Sequence, residues 1–157
     1  MPLARSACYA AGTDVHCAIW PGALRITKDI TRFVAMEGRC FVISAGGLLR
    51  GSDIPEGTPL RDAIVAREEG RDDWMLDGGS AIAGPGGEWV LEPVVGESGV
   101  FVADLDLSLV KAARQNFDAT GHYSRPDVLR LEVDRRRQGV VFVDPPPPPT
   151  PHSPANH

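Results

Sequence analysis

The side chains best suited to covalent chemistry in this 157-residue chain are three cysteines, Cys8, Cys17 and Cys40. They form no Cys-x-x-Cys pair and no zinc-ligand spacing, so neither a redox dithiol nor a metal site is expected. His16 stands beside Cys17, which suggests a thiol activated by an imidazole. Adjacent residues of a strand point to opposite faces, however, and an activated pair needs hydrogen-bond reach, so this pairing is not expected. An odd cysteine count without a secretory signal points to reduced thiols, and burial as small apolar groups is the leading expectation for each. Glu37, in Ala35-Met36-Glu37-Gly38-Arg39, is a candidate acid, but a helix-end carboxylate bonded to neighbouring backbone or to Arg39 is the stronger reading. The run Gly84-Pro85-Gly86-Gly87 is glycine-rich like a phosphate loop. No Lys-Ser/Thr follows it and no helix begins there, so it reads as a turn.

Bulk composition narrows the function classes. Apolar residues make up 43% of the chain and charged ones 24%, the balance of a globular domain with a core. A net charge of -5 argues against generic nucleic-acid affinity, and Arg135-Arg136-Arg137 beside Asp134 reads as a solvated segment. No apolar run is long enough to span a bilayer and no signal peptide opens the chain, so a cytoplasmic location away from membranes is expected.

The elements that would position these residues follow from periodicity. Leu3, Ala7 and Ala10 recur at helical spacing after Pro2, with Gly12 as a C-terminal cap; no capping side chain precedes this helix. Val15 to Trp20 reads as a short buried strand closed by Pro21-Gly22. A second amphipathic helix should place Ile26, Ile30, Phe33 and Val34 on one face, starting near Thr27 or Asp29 and ending near Gly38. Cys40 to Ala45 gives another apolar strand, and this β-α-β order predicts a sheet covered by helices. Leu48 to Asp77 reads as a charged surface excursion with a short helix from about Pro59 to Glu69. Ser80 to Ala83 and Glu88 to Glu92 should form a hairpin, and Gly99 to Asp106 one more strand. Asp106 then caps a helix whose face carries Leu107, Val110, Ala113 or Arg114, and Phe117. A last edge strand over 140–144 and a disordered, Pro-rich tail over 144–157 complete the reading.

Three stretches together resemble the nitrilase (carbon–nitrogen hydrolase) superfamily, in its true-nitrilase branch. They are Met-Pro-Leu-Ala-Arg at Met1–Arg5 with the strand to Trp20, the run Phe33 to Arg50 around Glu37-Gly38-Arg39, and the stretch from Gly78 to Leu131. The most specific portion is Gly121-His122-Tyr123-Ser124-Arg125-Pro126-Asp127. The resemblance implies a single partial domain over 1–143, the C-terminal half of an α/β four-layer α-β-β-α sandwich with a mixed sheet and flanking helices.

In that family a thiolate in a Cys-Trp-Glu motif attacks the nitrile carbon to give a covalent thioimidate. Water then releases a carboxylic acid and ammonia, with a Glu moving protons and a Lys stabilising charge, without metal or organic cofactor. Met1 of this chain aligns with the Met that follows the nucleophile motif, so all three catalytic residues are expected to lie upstream of Met1. The chain as written is therefore expected to hold no catalytic residue and to hydrolyse no nitrile or amide by itself. It is expected to be a fragment of a nitrilase, with two alternatives: a non-catalytic oligomerisation partner of a complete nitrilase, or one half of a split enzyme. Trp20 and Pro21 are the candidate substrate-binding residues; Trp20 could equally serve as a core or interface aromatic. His122 to Arg125 should be structural, fixing the C-terminal segment against a neighbouring subunit of a homo-oligomer, with an Arg125–Asp127 ion pair.

Overall fold

Pro2 in the first helical turn and Gly12, at φ 83 just beyond the last turn, bound α1 (Pro2–Ala10) as its sequence predicts. The β-α-β unit follows in the computed structural model, which describes residues 1–66 and 74–134. β1 (Val15–Trp20) and β2 (Phe41–Gly46) are parallel neighbours joined by α2 (Leu24–Gly38), with Val15 opposite Phe41 and Trp20 opposite Gly46. The remaining elements are β3 (Leu48–Arg50), α3 (Arg61–Val65), β4 (Trp74–Ala83), β5 (Trp89–Val95) and α4 (Ser108–Asn116).

β2 and β3 both pair antiparallel with β4, Ser44 opposite Ala81 and Leu48 opposite Asp77, with a register shift between Leu49 and Arg50, and β5 pairs antiparallel with β4. The sheet is thus mixed and carries flanking helices, which makes the fold α/β. The ladder between β2 and β3 breaks at Gly46-Gly47, where a Cβ on Gly46 would collide with the Gly78 carbonyl. The expected hairpin is present. Its turn is closed by Gly84 N–H donating to the Glu88 carbonyl at 2.8 Å, and Arg32 of α2 donates to the Gly87 carbonyl at 2.6 Å.

The core sits between α2 and one face of the sheet. It gathers Tyr9, Ala18, Val34, Ala35, Cys40, Val42 and Ala83, with Trp20, Ile30 and Trp89 packed against it. The buried stripe of α2 is Thr27, Thr31, Val34, Ala35 and Gly38, a helical face that only partly overlaps the expected one. Ile26 and Phe33 are about half exposed. The reason is close approach: a Cβ on Gly79 would lie 2.8 Å from Thr27 Oγ1, so this part of the sheet admits only short side chains from α2. Likewise α1 buries Tyr9 rather than Leu3, Ala7 and Ala10. The Tyr9 ring lies against Gly38, which has no side chain to hold it off.

Other expectations need correction. Leu48 to Asp77 is not wholly a surface excursion, because β3 and the start of β4 bring both its ends into the sheet. The short helix within it spans only Arg61–Val65. The stretch Gly99–Asp106 joins no ladder among the described residues, although its alternation survives: Val100 and Val102 face solvent while Phe101, Ala103 and Leu105 are half-buried. Alternation gives an extended chain, but a strand also needs a hydrogen-bonding neighbour. Asp106 does accept the Ser108 N–H at 2.9 Å at the start of α4, and Val110 is the residue α4 buries. The arginine run at 135–137, the expected strand over 140–144 and the Pro-rich tail lie outside the described residues.

The Tyr9–Gly38 contact reverses an ordinary rule. A glycine in a helix normally gains stability on replacement by alanine, by about 1 kcal/mol. Here the new methyl would strike the Tyr9 ring. Gly38→Ala is therefore expected to destabilise the chain by about 1–3 kcal/mol, read as a lower urea midpoint.

Candidate functional site

Two parallel strands, β1 and β2, end side by side at Trp20 and Gly46. Ligands of open α/β sheets gather outside such carboxyl ends, because the loops that leave them diverge to form a crevice. Here the chain turns sharply after Trp20. Pro21 donates no hydrogen bond and its carbonyl accepts the Gly47 N–H at 3.2 Å. Gly22, at φ 120, passes so close to Gly47 that a Cβ would collide with its carbonyl. Ala23, at φ 99, is held in a backbone conformation that disfavours any Cβ, with its N–H on the Gly78 carbonyl at 3.1 Å. Asp77 Oδ1 accepts the Leu24 N–H at 2.8 Å and completes the entry into α2.

The structure separates the two candidate substrate-binding residues. Trp20 is half-buried and lines a cavity of about 290 Å³ with Met1, Arg5, His16, Cys17 and Ile19. Its indole Nε1 is enclosed and has no hydrogen-bond partner among the described residues. Pro21 is exposed, does not line this cavity, and belongs to the turn instead. His16 and Cys17 both border the cavity, but the burial alternation of β1 puts His16 with buried Ala18 and Cys17 with exposed Ile19, on opposite faces. Burial, and then the Arg5 charge, hold the His16 imidazolium below its ordinary range, so the ring is neutral near pH 7.

The other candidate residues have structural partners. Glu37 Oε2 accepts from Arg5 Nε at 2.8 Å and from the Tyr9 hydroxyl at 3.0 Å. The expected partner Arg39 takes no part: its guanidinium lies over the Phe117 ring, 5.1 Å from the centroid. Sequence periodicity could not pair Glu37 with Arg5, which lies on a different helix 32 residues away. Burial and the Glu37 carboxylate raise the Tyr9 phenol well above its usual range, so it stays protonated and donates to Glu37.

Cys40 is buried as expected, and desolvation pushes its thiol up to about 11. Cys8 and Cys17 are exposed, against the expectation of core packing. Cys17 lies on the uncovered face of β1, an edge strand of the sheet.

In the C-terminal segment, Ser124 Oγ donates to the Gly121 carbonyl at 2.6 Å and the His122 ring packs beside Tyr123, 5.0 Å between centroids. Among the described residues no Ser–His pair forms. Arg125 and Asp127 make the expected ion pair, which is bidentate at 2.8 and 2.7 Å and exposed. The Arg125 guanidinium draws the Asp127 carboxyl below its usual range, and Asp127 raises Arg125 in return. Among the described residues no cluster of His, Cys, Asp and Glu could hold a metal ion, and no helix is long and apolar enough to cross a membrane.

These environments give two expected outcomes. A thiol reagent at neutral pH should modify Cys8 and Cys17 in the native chain, and Cys40 only after unfolding. The second concerns His16, whose folded-state proton affinity lies below the unfolded value of about 6.5. Stability should therefore be full above that value and fall as pH drops through it toward the lower folded one. Urea unfolding of wild type and His16→Gln between about pH 7.5 and pH 5.5 should show a shallower pH slope in the variant.

No protein-family model matches the chain. Individual relatives do. It is 35% identical over 144 residues to Nitrilase 2 of Arabidopsis thaliana, covering 91% of this chain and 42% of that protein. It is 37% identical over 146 residues to a bifunctional nitrilase/nitrile hydratase of Lupinus angustifolius, covering 91% and 41%. It is 36% identical over 148 residues to an aliphatic nitrilase of Sinorhizobium fredii, covering 91% and 45%. The chain thus spans less than half the length of the curated relatives it matches. Over that span, and along nearly all of its own length, the chain belongs to the nitrilase superfamily.

Proposed function

We propose that this chain corresponds to the portion of a nitrilase-like carbon–nitrogen hydrolase that follows the nucleophile in sequence, and that it has no hydrolytic activity by itself. The observation that carries the reading is the asymmetry of the match: 91% of this chain aligns with 41–45% of each relative. The sheet supports it. One face is sealed by α2, while on the other Cys17, Ile19 and Ala45 lie open, with Ile19 78% exposed. An apolar sheet face in water is the kind of surface a further layer covers. Such a layer would complete the four-layer sandwich that the family resemblance implies.

In the complete enzyme, a nitrile would give a carboxylic acid and ammonia, as the names of the relatives suggest. Trp20 would supply an apolar wall to the substrate side chain, and Pro21 with Gly22 would fix the turn that holds that wall in place. This reading requires no metal or organic cofactor.

A second reading is favoured by the segment from Gly121 to Asp134, in which Val128 and Leu129 are 65% and 74% exposed. It is that the chain works by docking onto another subunit, as a non-catalytic partner of a complete nitrilase or as half of a split enzyme.

The test has two arms. The chain alone is expected to release no ammonia from aliphatic or aryl nitriles; release that disappears in Cys17→Ser would overturn the proposal. A chimera joining this chain to the preceding part of Nitrilase 2 is expected to release ammonia. In that chimera Trp20→Ala should raise KM by about tenfold with a smaller change in kcat, the signature of lost apolar substrate contact. Activity on simply mixing the two parts would favour the split-enzyme reading.

A further inference from the structure

Arg39 carries an enclosed guanidinium nitrogen that has no hydrogen-bond partner among the described residues. Its backbone N–H caps α2 on the Ala35 carbonyl, but its side chain makes no hydrogen bond and no ion pair among the described residues. Among the described residues its guanidinium lies over the face of the Phe117 ring, 5.1 Å from the centroid. A cation over a ring face uses none of its N–H donors on that ring, so the guanidinium keeps the in-plane bonds with which Arg binds carboxylate or phosphate. Arg39 also sits at φ 47 and ψ 50, a left-handed conformation where a glycine would be at ease. A long charged side chain kept at such a position, without an acid to meet it, is an observation that asks for a ligand.

Arg39 lines a cavity of about 250 Å³ between the C-terminal ends of α1 and α2 and the turn that follows α4. A second guanidinium, Arg114, also lines it; Arg114 Nη1 is anchored on Asp14 Oδ1 at 3.0 Å. Two carboxylates border the cavity, and both are occupied. Glu37 is held by Arg5 and Tyr9, and Asp118 accepts from the Thr120 N–H, the Thr120 hydroxyl and the Gly121 N–H. Neither of them answers the Arg39 charge.

We propose that this cavity is a binding site for a small oxyanion, a carboxylate or phosphate group, held by Arg39 with Arg114 beside it. The site is separate from the Trp20 cavity, and the inference does not rest on the nitrilase reading: its test requires no turnover.

The test uses the full chain and two probes, inorganic phosphate and acetate, titrated calorimetrically against a chloride background of equal ionic strength. Saturable one-to-one binding of at least one probe is expected, and the probe that binds more tightly identifies the group as phosphate or carboxylate. Arg39→Gly and Arg39→Asn both suit a left-handed backbone, so the fold should survive, with a thermal midpoint no lower than wild type. Each variant should weaken binding by about tenfold or more, the effect of losing a charge-assisted hydrogen bond. Absence of saturable binding of either probe to wild type, or unchanged affinity in both variants, would overturn the proposal.

Discussion

The structure depends on how closely α2 can approach the sheet. Gly79 on β4 leaves just enough room for Thr27, and Gly38 at the other end of α2 leaves room for the Tyr9 ring. Between these two contacts the helix presents Thr31, Val34 and Ala35 to a sheet face built from Ala18, Val42, Ala81 and Ala83. Small residues on both sides let backbone come near backbone, so dispersion contacts are dense although few large side chains take part. Because α2 joins two parallel strands, its seating also fixes their register and brings Trp20 level with Gly46.

That seating sets the chemistry at both ends of α2. At its start, the chain must leave β1 and enter the helix within three residues, under the backbone of Gly47 and Gly78. The outcome is a rigid glycine-lined crossing that holds Trp20 over a cavity instead of leaving it loose on a strand end. At its far end, Glu37 accepts from Arg5 and Tyr9, which ties α1 to α2. This pair is only partly buried, with side chains 16% and 31% exposed, so its contribution lies more in orienting α1 than in net stability. Arg39, two residues further on, has no acid partner among the described residues.

The sheet is asymmetric in a way that bears on function. The helix-covered face is closed, the opposite face is open at Cys17 and Ile19, and the extended stretch from Gly99 to Asp106 shows alternating exposure without a ladder. Both features leave apolar side chains in water, in a chain that spans less than half the length of the relatives it matches.

Local and periodic features were legible in the sequence. Pro2 and Gly12 framed α1, the apolar run gave β1 to the residue, and Gly84 to Gly87 gave the hairpin turn. The Gly121–Asp127 run carried the family, and a short-range ion pair such as Arg125–Asp127 could be foreseen from its spacing. These depend on interactions within a few residues, which order along the chain specifies. What only tertiary structure decided was which face of each helix is buried, which acid meets which base, and which strands find partners. Thr27 displaced Ile26 from the core because of Gly79, and Arg5 displaced Arg39 as partner of Glu37 because Tyr9 docks on Gly38. Trp20 and Pro21, adjacent in sequence, parted into a cavity wall and a turn because the backbone reverses between them. Each of these outcomes was set by contact between residues far apart in the chain, through steric room and charge distances that exist only once the helix lies on the sheet.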